Sequence, residues 1–219
     1  MLRKNQKGFT LVEVAIVLVI VGLLIGGVLK GREMITNAKL KRIEGDHTSI
    51  SAAMFSYQDR YLQLPGDDSG ASDRFSVYAA ADPVNGDGTG TIDGAWDATA
   101  SADITATQQP ETNLFYAHLR AAGFLPGSGT DDTKLTHAYG GHIGVQNSSL
   151  GISGHVTVFS AMDGAVVRIL ESRLDDSAPD SGRIQLNVSG SGMAGSATTA
   201  DTAVTTLSDD QQYDMAFRL

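Results

Sequence analysis

Across 219 residues there is no cysteine, one tryptophan and five prolines. Without cysteine a folded domain has no disulfide, no thiolate nucleophile and no thiolate metal ligand, so it rests on packing, hydrogen bonds or a bound ion. Positive charge is also scarce: 16 Lys and Arg stand against 25 Asp and Glu, a net charge of −9. Such a surface repels phosphate backbones and argues against nucleic-acid binding by this chain alone. The histidines at 47, 118, 137, 142 and 155 show no zinc-type pairing at helical spacing. There is no Gly-x-Ser-x-Gly elbow and no phosphate-cradling glycine loop, and the Asp-Asp pairs are turn dipeptides. Enzymatic readings therefore lack a motif, and the chain is expected not to be an enzyme.

Long apolar runs are absent with one exception. Residues 9–29 form an unbroken apolar stretch in which Glu13 is the only strongly polar side chain. At 1.5 Å per helical residue it covers roughly the 30 Å hydrocarbon thickness of a bilayer. Arg3, Lys4 and Lys7 precede it and are expected to stay in the cytoplasm, leaving the residues after Lys30 on the far side. No Ala-x-Ala site stands after the apolar core, unlike an ordinary signal peptide. A cut is therefore expected before the core, at Gly8, with the helix retained. A carboxylate in such a segment is costly unless paired, which marks Glu13 as functional.

Lys7-Gly8-Phe9-Thr10-Leu11-Val12-Glu13 followed by an apolar helix resembles the signature of type IV pilins and type II secretion pseudopilins. The resemblance covers about the first 60 residues and departs at Lys30, where many members have proline. It implies cleavage between Gly8 and Phe9 by a prepilin peptidase and N-methylation of Phe9. It also implies an inner-membrane precursor that an assembly platform builds into a homopolymer or a filament with other pilins, head outside the cytoplasm. A new amine at Phe9 would be largely cationic at neutral pH. Glu13 of one subunit pairing with that amine in a neighbour would remove the cost of a buried carboxylate and set register. The alternative is a carboxylate that snorkels to water from an ordinary single-pass anchor. Losing the leader removes three basic residues and takes the chain to −12, termini apart.

The expected fold is α+β: a long N-terminal helix, membrane-spanning then amphipathic, packed on a small antiparallel sheet. Its divisions are a leader at 1–8, an apolar helix at 9–30, an amphipathic helix at 31–62 and a head at 63–219. Gly22, Gly26, Gly27 and Gly31 mark either a bend or a close helix–helix approach. Ile43, His47, Ile50, Met54, Tyr57 and Tyr61 make one helical stripe, with His47 read as a packed core residue. The helix is expected to stop near Leu62, ahead of Pro65 and the turn Gly66-Asp67-Asp68. Residues 66–110 read as a long surface excursion anchored by Phe75, Tyr78 and Trp96. Helices are expected at 111–122 and 163–174, the second with Asp163 as N-cap, and strands at 141–146, 154–160 and 182–188. Residues 189–212 read as a weakly structured polar segment and 213–217 as an edge strand.

One candidate metal site lies in the excursion. Asn85, Asp87, Thr89 and Asp93 place oxygens at positions 1, 3, 5 and 9 of a calcium-type loop, with Gly90 at position 6. The glutamate expected at position 12 is replaced by Trp96, so Asp82 or Asp97 and backbone carbonyls would have to complete a calcium shell. The alternative is a Gly/Asp turn cluster without an ion. Asp175, Asp176 and Asp180 read as a solvated acidic turn. The function expected is a filament subunit. A pseudopilin whose short filament drives secretion, or an anchored binding domain that never polymerises, are the alternatives.

Overall fold

The computed structural model describes residues 10–78, 82–101, 103–149, 152–189, 204 and 206–219. The expected cleavage point at Gly8 and Phe9, and most of the polar segment 189–212, lie outside these residues. The fold is α+β, and the chain divides into two units, Met1–Lys41 and Arg42–Leu219.

Helix α1 is Leu11–Tyr61, a single uninterrupted element. It continues through Gly22, Gly26, Gly27 and Gly31, where an added methyl group would meet nothing. Within the second unit its inward stripe is the predicted one: Ile43, Ile50, Met54 and Tyr57 are buried, and His47 and Tyr61 are half-buried. The helix ends because Leu62 takes φ +56°, a left-handed C-terminal cap, three residues before Pro65.

The sheet has the order β1-β2-β3-β5-β4, every pair antiparallel: β1 Leu135–Thr136, β2 His142–Ser149, β3 Ile152–Asp163, β4 Ile184–Val188 and β5 Gln212–Arg218. Its register, Thr157 opposite Val145 and Phe217, sorts side chains onto two faces. One face meets α1: the His47 ring stacks on Phe217 with centroids 5.0 Å apart, and its Nδ1 lies 2.8 Å from the Thr157 hydroxyl. On the other face Val156, Val158 and Ala216 cluster with Ile152 and with Trp96 of the excursion.

Two expectations change. The C-terminal strand β5 is interior, not an edge, since it pairs with β3 and β4 at once. Burial of all five residues Tyr213, Asp214, Met215, Ala216 and Phe217 follows from that position. The excursion is not a surface loop but a packed layer. Trp96, Ile92, Ile104, Val84, Tyr78 and Phe75 are all buried, and the Asn147 N–H of β2 donates to the Ile92 carbonyl. Gly144 of β2 has no side chain because a Cβ there would lie 2.4 Å from the Trp96 carbonyl oxygen. Two short elements missed by periodicity, α2 Ala71–Arg74 and β1, belong to this layer and to the sheet edge. Helices α3 Glu111–Ala121 and α4 Gly164–Leu174 stand where expected, although Asp163 makes no side-chain cap bond.

Candidate functional site

Two places bear on the residues that the sequence singles out. The first is the start of α1. From Leu11 to Leu29 the large apolar side chains are exposed, and none of the candidate membrane-spanning window is buried. Such a face needs an apolar environment from outside the chain, because exposed hydrocarbon on this scale is unfavourable in water. Glu13 sits in its first turn. Its Oε2 accepts from the Thr10 N–H and the Thr10 hydroxyl, both at 2.9 Å, while the Glu13 N–H donates to Thr10 Oγ1 at 3.2 Å. This is a capping box, and its pattern Thr10-x-x-Glu13 is one that hydropathy and charge alone do not single out. It gives Glu13 a task inside its own chain, satisfying the free N–H groups of the helix start.

The second place is the acidic loop of the excursion. Gly66 turns with φ +94° directly against α3, where a Cβ would fall 2.5 Å from the Glu111 carbonyl oxygen. The turn then sends its two aspartates opposite ways. Asp68 accepts from the Tyr57 hydroxyl at 2.6 Å and from the Arg74 guanidinium, tying α1 to α2. Asp67 accepts from the N–H groups of Thr89 at 2.9 Å and Gly90 at 2.7 Å. Glu111, the first residue of α3, accepts from the N–H groups of Asp87 and Asp93, each at 2.8 Å. Two buried carboxylates thus clamp the loop through its backbone.

Carboxylate oxygens of Asp67, Asp87 and Glu111 all lie within 4.8 Å of one another. Burial, and then the charges of Asp67 and Asp87, push the Glu111 carboxyl up to about 7 despite its two N–H partners. Burial also raises Asp67, while hydrogen bonds from Thr89 lower the exposed Asp87. Either a proton or a cation relieves this crowding.

The four residues of the expected calcium loop divide. Asn85, Asp87 and Asp93 line one open concavity of about 550 Å³ together with Glu111. Only Asp87 belongs to the carboxylate triad. Asn85 Oδ1 accepts from the Ser72 N–H at 2.8 Å, and its amide donates to Ser72 Oγ at 2.9 Å. Thr89 Oγ1 lies 3.1 Å from Thr91 Oγ1, and Asp93 accepts from Thr91 at 3.0 Å. The two carboxylates that border Asp87, those of Asp67 and Glu111, lie outside the loop pattern. No spacing rule joins them to the loop, although an Asp after Pro65-Gly66 and an acid opening a helix after Pro110 were visible. Among the described residues, no histidine joins the group formed by Asp67, Asp87 and Glu111.

A family model described as the prokaryotic N-terminal methylation motif matches residues 3–29. The chain carries the signature of type IV pilins and pseudopilins, on an α+β architecture of pilin type. None of the curated proteins compared, and no solved structure, matches it.

Proposed function

We propose that this chain is a structural subunit of a type IV pilus-like filament, made as a membrane-anchored precursor and assembled through the apolar half of α1. The observation that carries the reading is the methylation motif over 3–29, which runs into the start of α1, where the large apolar side chains from Leu11 to Leu29 are exposed. Cleavage between Gly8 and Phe9 by a prepilin peptidase frees an amine, and N-methylation of Phe9 retains its charge. Extracted by an inner-membrane assembly platform, the helices exchange lipid for one another, and Glu13 of one subunit meets the amine of a neighbour. That pair exchanges the capping contacts of Glu13 for an intermolecular one and fixes the axial register of the filament. The head, held without disulfides, stands outside the cytoplasm. Calcium belongs to the same proposal: with Asp67 and Glu111 added, the loop that contains Asn85, Asp87, Thr89 and Asp93 offers the hard oxygen donors this ion takes.

Intact mass and N-terminal sequence of the chain recovered from cell-surface shearings test the proposal. A chain that begins at methylated Phe9 in that fraction is the expected result. A Met1 terminus found only in membranes would leave an ordinary anchored domain. Abundance decides the grade of subunit: a dominant species in long filaments is a major pilin, and a trace species in a short periplasmic filament is a pseudopilin or minor pilin.

A further inference from the structure

We propose that Glu171, Asp175 and Asp176, where α4 ends, hold a hard divalent cation of the calcium type. The site is separate from the loop at 85–93 and does not depend on whether the chain polymerises. Glu171 is 1% exposed, and among the described residues neither of its carboxylate oxygens has a hydrogen-bond partner. A buried carboxylate left in this state is costly and calls for a partner. What it faces is more negative charge: its carboxylate and those of Asp175 and Asp176 lie within 4.8 Å of one another. Two oxygens bound to one calcium, each about 2.4 Å from the ion, sit at most about 4.8 Å apart, so the three can share it.

The surroundings favour a cation over an accident of crowding. Glu171 and Asp175 are four residues apart at a helix C-terminus, where like charges repel and the helix dipole already disfavours anions. The end of the helix also leaves carbonyl oxygens without intrahelical partners, and these are further hard ligands. Asp175 is held rigidly. Its Oδ2 accepts from the N–H groups of Arg183 at 2.6 Å and Ile184 at 2.7 Å, and among the described residues nothing bonds to its Oδ1. Gly182, at φ +79°, lets the backbone close over it, since a Cβ there would lie 2.2 Å from Asp175 Oδ2. Asp176 accepts from the Ala178 N–H at 2.9 Å and from Ser181 Oγ at 2.8 Å, which fixes its carboxylate in turn. Burial and the charges of Asp175 and Asp176 push Glu171 up to about 8, the direction that crowded, desolvated anions require.

The test is calorimetric titration of calcium chloride into the full chain in detergent micelles after chelation and dialysis, with Glu171→Gln, Asp176→Asn and Glu111→Gln beside the wild type. The expected result is a class of sites weakened at least about tenfold in E171Q and D176N, the loss usual when a metal site's support is removed, and untouched in E111Q. Asp176 is exposed, so D176N reports even where E171Q fails to fold. Wild-type isotherms from D176N and from folded E171Q, or no calcium binding beyond the part that E111Q abolishes, would overturn the assignment.

Discussion

Glu13 closes a capping box on Thr10, and the same carboxylate is the group proposed to meet a neighbouring amine. Alanine removes both roles, whereas glutamine keeps an acceptor for Thr10 and removes only the charge. Loss of the cap costs about 0.5–2 kcal/mol at the helix end. If charge pairing drives assembly, E13Q and E13A are equally poor in sheared filaments. Helicity of the membrane precursor, read by circular dichroism in detergent, then falls in E13A alone. Wild-type filament yield from E13Q, measured by quantitative immunoblot, would reduce Glu13 to its cap. The comparison matters because one carboxylate serves both roles: Oε2 bonds Thr10 in the single chain, and the proposed neighbouring amine would meet the same group.

Among the elements, α3 organises the head through one histidine. His118 is fully buried: its Nδ1 accepts from the Gly66 N–H at 2.9 Å, and its Nε2 lies 2.8 Å from the Val84 carbonyl. The bond from Gly66 fixes the neutral tautomer with the proton on Nε2, donated to Val84. The ring thereby pins two points of the packed layer, and it stacks on Tyr57 of α1 at 6.2 Å. His118→Ala leaves a buried N–H and a buried carbonyl unpaired and opens a cavity, a loss of about 3–5 kcal/mol expected in the denaturant midpoint. A loss under about 1 kcal/mol, the size of an ordinary surface change, would mean that the layer does not depend on this staple. Helices α3 and α4 and strand β3 were legible because their apolar periods are local. The interior place of β5 was not, since alternation says which residues face a core and not which strands flank them. Asp67, Asp87 and Glu111 come from three stretches that only the folded excursion brings together. Glu171 did leave a trace: four residues after Val167 and three before Leu174, it falls on the apolar stripe of its own helix.

For the whole molecule these buried groups set a pH dependence with two opposing limbs. Glu111 and Glu171 are held up to about 7 and about 8 in the folded chain, against 4.5 for an ordinary glutamate. By pH 6.5 the unfolded chain has already lost both protons, while the folded chain gives them up only as pH rises further, Glu111 near 7 and Glu171 near 8. The folded state therefore binds more protons, and its stability falls as pH rises through that window. Histidines act on the other side. Burial depresses His118 to about 4 from 6.5, and burial lowers His47, His137 and His155 as well. Below pH 6.5 the unfolded chain takes up protons that these neutral rings refuse, so stability falls as pH falls. The two limbs oppose each other, and a maximum is expected near pH 6.5, where the histidines of the unfolded chain begin to take up protons. Thermal unfolding of the detergent-solubilised chain in excess chelator should give that maximum, with E111Q and E171Q each flattening the alkaline limb. Calcium should flatten the same limb, because an ion takes the place of the proton that each glutamate loses. A midpoint that climbs steadily from pH 6.5 to 8 in chelator would show that these carboxylates are ionised at no cost, and the case for cations at either cluster would go with it.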